Sequence, residues 1–277
     1  MTDLKTNLPG KLGNPDATFA TDSRADPRIA AAMDMAGDLA PGVAEISADA
    51  SYADALAYCH AFEDAAALAH PIQMEMLPDS PDVAVSTQVI KGVDGNEINL
   101  YIHQPTQRSG PLPCLLHTHG GGMVLMTAMD PNFIRWRNTM ASMGMVVVGV
   151  EFRNGGGALG NHPFPAGLND CASAAQWVAA NRVALDISSI VISGESGGGN
   201  LSIATTLKAL KEGWVDRIDG VYAMCPYISG SYANPPAELV SLRENDGYML
   251  NGTMMAAMVR VYDPTNECGN NPLAWPL

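Results

Sequence analysis

Hydrophobic and polar positions change their spacing along the chain, and each change predicts an element. Residues 1–26 are polar and punctuated by Pro9, Gly10, Gly13 and Pro15, so they read as an arm rather than core. From Pro27 to His70 alanine is abundant. Leu56, Cys59, Phe62 and Ala66 recur there at helical spacing, and two or three helices fit, broken at "APG" 40–42. Near Pro78 the period shortens. "VAVSTQVI" (83–90) and "INLYIH" (98–103) alternate like half-buried strands, and Asp94-Gly95 between them signals a hairpin.

Further along, "PCLLHTH" (113–119) reads as a short apolar strand and "NFIRWRNTMASM" (132–143) as a helix. "MVVVGVEF" (145–152) has no polar alternation, the pattern of a strand covered on both faces. Residues 169–183 predict a helix capped by Asn169 or Asp170. Then come a strand at 187–193, a helix at 197–212 and a strand at 218–225. Repeated alternation of strand and helix implies an α/β fold, a parallel sheet with helices on both faces. Residues 226–277 break the rhythm, with a loop, a helix at 251–262 and an irregular close. There is no internal repeat and no low-complexity tract.

Composition narrows the classes. Hydrophobic residues make up 47% of the 277, enough for a core, and the net charge is −14. No basic run is present, which argues against a nucleic-acid partner. Five scattered cysteines, an odd count without a C-x-x-C pair, read as free thiols in a reducing compartment. The first residues lack the apolar stretch of a secretory signal, and the longest apolar run, "MGMVVVGV" (143–150), is too short for a bilayer. The expectation is a soluble, cytoplasmic protein without a membrane partner.

Chemistry concentrates in two glycine clusters. In "ISSIVISGESGGGN" (187–200), strand runs through a sharp turn into helix, and Gly194-Glu195-Ser196-Gly197-Gly198 fits G-x-S-x-G, the nucleophile elbow. Glycines two before and two after the serine permit the close approach that such a turn needs. A phosphate cradle is the competing reading, but Asn200 and Leu201 stand where a P-loop would place its lysine. "HTHGGGMV" (117–124) follows a strand directly, and Gly120, Gly121 and Gly122 can turn bare N–H groups into one cavity, as an oxyanion hole requires. His119 would brace that loop. A metal pair of His117 and His119 is the alternative, with no carboxylate or third histidine close by in sequence; no metal or organic cofactor is implied.

These two motifs, in this order and spacing, and "EFRNGGGALGNHPFPAGLNDCASAAQWV" (151–178) with its "HPFPA" at 162–166, resemble the hormone-sensitive-lipase-like branch of the α/β-hydrolases. The "GESGGGN" variant is similar to that of bacterial carboxylesterases. The likeness covers roughly residues 80–277. It implies an α/β-hydrolase core at 81–225, an arm and cap helices at 1–80, and a second cap segment at 226–277 leading to the rest of the core. It implies Ser196 as nucleophile, Gly121, Gly122 and Gly197 as oxyanion donors, and Gly120 and His119 as loop support. The implied activity is hydrolysis of small to medium acyl esters.

One part of the machinery is missing. In this family the triad runs Ser, then Asp or Glu, then His. His60, His70, His103, His117, His119 and His162 all precede Ser196. Asp216, Asp219, Glu238, Glu244, Asp246, Asp263 and Glu267 follow it, none at the end of a late core strand. "NPLAWPL" resembles the segment before the family's seventh strand, so the last two strands are expected outside residues 1–277. The resemblance therefore implies that a C-terminal polypeptide or partner chain completes the sheet and supplies the triad Asp and His. A homo-oligomer stays open. The alternative function is a non-catalytic ligand-binding or regulatory protein on the same scaffold. His119 or His162 as a substitute base is the weaker reading, since His119 sits in the loop it would brace.

Several other residues carry two readings. Met123, Met126, Met129, Met249, Met254, Met255 and Met258 are pocket wall or core filling. Tyr227, Tyr232 and Tyr248 line a cleft or tie down the cap. Glu195 is expected to hold the elbow by a local hydrogen bond, and Arg153 reads as a structural ion pair or, less readily, a substrate contact.

Overall fold

The computed structural model describes residues 10–39, 42–75, 80 and 82–277. Residues 1–9, Ala40 and Pro41 of the expected helix break, Pro78 and the His70 side chain lie outside that description. Six strands form, at the positions where the pattern predicts them: β1 (Val83–Lys91), β2 (Glu97–Pro105), β3 (Leu112–Thr118), β4 (Val146–Val150), β5 (Ile187–Glu195) and β6 (Gly220–Met224). The helices are α1 (Pro27–Leu39), α2 (Tyr52–Glu75), α3 (Pro131–Ser142), α4 (Ala166–Ala180), α5 (Gly197–Glu212), α6 (Ser241–Glu244) and α7 (Gly252–Tyr262).

The strands join in one sheet of order β1-β2-β4-β3-β5-β6. β1 and β2 are the antiparallel hairpin expected at Asp94-Gly95, and β2 also pairs antiparallel with β4. β4, β3, β5 and β6 run parallel. This puts the C-terminal ends of β3 and β5 side by side, with Thr118 paired to Gly194. Open α/β sheets bind ligands outside such strand ends.

All five residues of β4 are buried, as its unbroken apolar run predicts. Successive side chains point to opposite faces, so both faces are covered. α3 packs on β2 and β4, while α4 and α5 pack on each other and on the sheet.

Two local expectations are corrected. β1 is exposed along most of its length, with Val85 and Val89 in solvent and Ile90 buried, because it is an edge strand paired only with β2 among the described residues. α4 begins at Ala166, so Asn169 and Asp170 lie inside it rather than capping it. The buried Asp170 carboxylate instead accepts from Arg153 Nε and Arg153 N, each at 2.9 Å, while Arg153 also reaches Asp94 at 2.6 Å. Arg153 thus makes the structural ion pair expected of it.

α2 packs against α7 and α3. Its Glu63 carboxylate accepts from Met126 N at 2.5 Å and Ala158 N at 2.6 Å, joining α2 to the loops after β3 and β4. At the other end of the sheet β6 pairs with β5 alone among the described residues and leaves Val221 and Tyr222 exposed. The arm is mostly exposed yet docked: Tyr248 donates to Asp22, which also pairs with Arg24, and the Phe19 and Tyr248 rings lie 4.7 Å apart.

Candidate active site

β5 passes into α5 through Ser196, whose backbone adopts φ 54° and ψ −116°. A non-glycine residue held there stores roughly 1–3 kcal/mol of strain, so neighbours must hold the turn. They do. Ser196 N donates to Met224 O at 2.9 Å, and Ser196 O accepts from Tyr227 N at 2.9 Å and Asn200 N at 3.1 Å. Glycine is required around it: a Cβ on Gly194 would lie 2.6 Å from the Gly198 carbonyl carbon, and one on Gly198 would overlap the Thr118 carbonyl oxygen. The serine itself is half-buried, and its Oγ has no hydrogen-bond partner among the described residues.

The second glycine cluster lies directly against this turn. Gly121, at φ 103°, folds the loop back so that its carbonyl accepts from Val124 N and Leu125 N, each at 3.0 Å. A Cβ on Gly197 would stand 2.7 Å from Gly122 N and 2.5 Å from Met123 N. The loop amides and the start of α5 therefore share one small space. Among the described residues no hydrogen bond uses the N–H of Gly121 or Gly122. Gly197, first in α5, adds another amide without an intrahelical acceptor and the positive end of the helix dipole. Unspent donors beside a hydroxyl that has no hydrogen-bond partner can stabilise negative charge on an atom bonded to its oxygen.

The loop rests on a buried polar network. Gly120 N donates to Glu195 Oε1 at 2.8 Å, and the other carboxylate oxygen bonds His117 Nε2 at 3.0 Å. Glu195 thus reaches across to β3 and its loop, not locally within the elbow. Burial alone would raise the Glu195 pKa, but the hydrogen bonds from His117 and from the Gly120 amide outweigh it and leave the carboxyl below its ordinary value. Beyond His117 lies Arg137 of α3, fully buried. Its Nε donates to His103 Nε2 at 2.9 Å, its Nη1 faces His117 Nδ1 at 3.5 Å, and its Nη2 donates to the Ala128 carbonyl. His119 bonds the Gly120 carbonyl through Nδ1 at 2.7 Å and stacks on Phe152 at 4.2 Å.

Burial keeps all three histidines neutral. It lowers the pKa of His103 to about 4 and of His119 to about 3, and lowers that of His117 despite the opposing pull of Glu195. In the unfolded chain these rings bind protons near pH 6.5, while the folded protein takes them up only at lower pH. The unfolded state gains protons first, so stability is complete above about pH 6.5 and falls as pH drops, by up to about 1.4 kcal/mol per pH unit for each histidine. The melting temperature is accordingly expected to fall between pH 7 and pH 5. A flat profile over that range would contradict buried, neutral rings.

No general base reaches Ser196 among the described residues. The nitrogens of His103 and His117 are engaged in the Arg137–Glu195 network, and His119 bonds its own loop. Of the acids after Ser196, Asp219 binds Arg182 and Ile190 N, Asp246 binds Gly252 N, and Asp263 closes the turn at Glu267 and Cys268. A metal pair of His117 and His119 does not form, because His117 already bridges Glu195 and Arg137. Among the described residues no group of three or more His, Cys, Asp or Glu could hold a metal. No described helix is long and apolar enough to cross a membrane.

The methionines read as pocket wall or core filling divide by burial. Met129 and Met249 are exposed, whereas Met123, Met254, Met255 and Met258 are buried. A Cβ on Gly122 would meet Met258 Sδ at 2.6 Å, so Met258 packs directly on the loop. Tyr227 is a tie: its hydroxyl donates to Met255 O at 2.6 Å. Arg137 and Glu63 were not legible as site supports. For Arg137 one signal exists, the glycine inside the "VVVGV" strand, since a Cβ on Gly149 would stand 2.8 Å from Arg137 Nε.

A strand-elbow-helix serine facing a glycine loop, on a mostly parallel sheet, defines a class, and the chain belongs to the α/β-hydrolase family: residues 115–277 match the family model of the alpha/beta hydrolase fold. Within that family it falls in the hormone-sensitive-lipase-like branch. It is similar to the solved structure of brefeldin A esterase, described as a bacterial homologue of human hormone sensitive lipase, with 44% identity and TM-score 0.88 over 97% of this chain and 76% of that one. The structure of esterase Est22 is 35% identical with TM-score 0.75, over 94% of this chain and 77% of that one. Tuliposide A-converting enzyme b1 of Tulipa gesneriana is 29% identical over 56% of this chain and 43% of its own length. Versiconal hemiacetal acetate esterase of Aspergillus parasiticus is 31% identical over 53% of this chain and 43% of its own. The match thus spans less than half the length of these curated relatives.

Proposed function

We propose that the protein is a serine carboxylesterase acting on small to medium acyl esters. The observation that carries this is a half-buried Ser196 at positive φ, beside Gly121 and Gly122 amides that no hydrogen bond uses among the described residues. Ser196 Oγ attacks the ester carbonyl and loses its proton to a base. The Gly121, Gly122 and Gly197 N–H groups hold the oxyanion, the alcohol leaves with a proton returned from the base, and water releases the acid from the acyl-enzyme. Several of the similar proteins are themselves esterases.

An isolated serine hydroxyl needs a base within about 3 Å. We assign the base histidine and its carboxylate to polypeptide outside residues 1–277, a C-terminal part or a partner chain. β6 supports this, since it pairs with β5 alone among the described residues and leaves Val221 and Tyr222 exposed, an edge that could take a further strand. Such a strand would end next to the elbow, because Met224 at the end of β6 holds Ser196 N. α2 and α7 would form the cap over the 81–225 core, with Met258 walling the acyl pocket above Gly122. The five free cysteines suit a cytoplasmic setting.

Full-length protein treated with a fluorophosphonate probe is expected to carry one adduct, on Ser196, and to hydrolyse p-nitrophenyl butyrate. Absence of both in well-folded protein would favour the other reading, a ligand-binding or regulatory protein on this scaffold, to which the absence of a nearby base among the described residues points.

A further inference from the structure

The loop that presents Gly121 and Gly122 is held from below by a carboxylate, which is unexpected beneath a site built for negative charge. Glu195 Oε1 takes the Gly120 N–H at 2.8 Å, so that amide is spent and turned away from the candidate oxyanion site. The carboxylate is then answered by a cation it does not touch. Arg137 is fully buried, and none of its hydrogen bonds goes to a carboxylate. His117 stands between them, with Nε2 on Glu195 at 3.0 Å and Nδ1 facing Arg137 Nη1 at 3.5 Å. A guanidinium only donates and a carboxylate only accepts. The ring must therefore be neutral, with its proton on Nε2. The same logic fixes His103, which accepts from Arg137 on Nε2 and donates from Nδ1 to Asn138 Oδ1 at 2.7 Å. The Trp136 ring stacks on His117 at 4.5 Å and holds its plane.

We propose that Arg137, His117 and Glu195 form a positioning relay that sets the orientation of the Gly121 and Gly122 amides through the Gly120 N–H. Arg137 also pins the far end of the loop, since its Nη2 donates to the Ala128 carbonyl while Glu151 accepts from Ala128 N at 2.7 Å. The loop is thus gripped at Gly120 and at Ala128 by one connected set of charges, and the oxyanion-facing turn lies between the two grips. All three act as positioning residues. Their effect passes through the backbone they hold, and it rests on the serine-esterase reading above.

Glu195→Gln tests this with little change in volume. The Gln carbonyl can still accept from Gly120, but its NH₂ then faces His117 Nε2–H, donor against donor. If His117 moves its proton to Nδ1, that proton meets Arg137. Full-length Glu195→Gln is expected to lose about tenfold to a hundredfold in kcat on p-nitrophenyl butyrate, because small misplacements of catalytic groups have costs of that size. KM should stay within about twofold, since ground-state ester contacts are untouched. Combining it with His117→Asn should cost little more than either change alone, as expected of one connected unit. Should the Gln variant lose its cooperative melt, Glu195→Asp, which keeps the charge but shortens the reach to Gly120, is read by the same criteria. Unchanged kcat in a folded variant, or a loss carried mainly by KM, overturns the relay. Wild type that neither labels at Ser196 nor turns over the ester overturns the serine-esterase reading itself, and the relay's catalytic role with it.

Discussion

Ser196→Ala is expected to abolish fluorophosphonate labelling and to lower ester turnover by about 10⁶-fold, the scale seen when a serine hydrolase loses its nucleophile. The fold should barely notice. Ser196 Oγ has no hydrogen-bond partner among the described residues, and the turn is held through backbone groups, Ser196 N to Met224 O and Tyr227 N to Ser196 O. Alanine meets the same strain at φ 54° as serine does. The stability change should therefore stay within about 0.5 kcal/mol, the range of substitutions that break no contact. Activity lost with the melting transition kept is the signature of a chemical role. A variant that unfolds, or one that still hydrolyses the ester at the wild-type rate, would show that the hydroxyl serves something else.

Gly121→Ala carries the second-largest expected effect, and it separates the loop's geometry from its mere presence. Gly121 sits at φ 103°, where a side chain is strained, and an added Cβ would collide with the Leu125 carbonyl oxygen. Because the obstacle is backbone, the turn must open, and the amides beside it lose their aim. Loss of one oxyanion donor costs about 10²–10³ in kcat, and that is the fall expected here. Gly122→Ala is the internal control. There φ is 64°, so a side chain is strained as well, but the added Cβ meets no backbone: it meets Met258 Sδ at 2.6 Å, in a flexible side chain that can turn aside. Its kcat should fall by less than that of Gly121→Ala. The reverse order would contradict the placement of the turn at Gly121.

Much of this was legible in the residues, and the physical reasons differ from element to element. The β4 run "VVVGV" announced a doubly covered strand because burial on both faces removes any need for polar alternation. The elbow was legible because no residue but glycine fits at 194 and 198, so the sequence must display what the backbone demands. β1 misled, since alternation measures residue type and not what packs on it, and an edge strand can alternate in solvent. The cap of α4 misled for a related reason. Asp170 looks like a helix cap, yet the Arg153 guanidinium, distant enough in sequence to escape local reading, claims its carboxylate. Support for the site was the least legible part. Glu195, His117 and Arg137 come from β5, β3 and α3, and only the fold brings them into one chain of contacts. The order of histidines offers Ser196 no base in the family's place, and among the described residues His103, His117 and His119 are engaged elsewhere.

All of the chemistry depends on where charge would sit when Ser196 is acylated. The most direct test is a crystal structure of the full-length protein carrying the phosphonate adduct. We expect phosphorus bonded to Ser196 Oγ and one phosphoryl oxygen about 2.7–3.1 Å from the Gly121, Gly122 and Gly197 nitrogens. An adduct on another residue, or a phosphoryl oxygen turned to solvent with those three amides unused, would contradict the account.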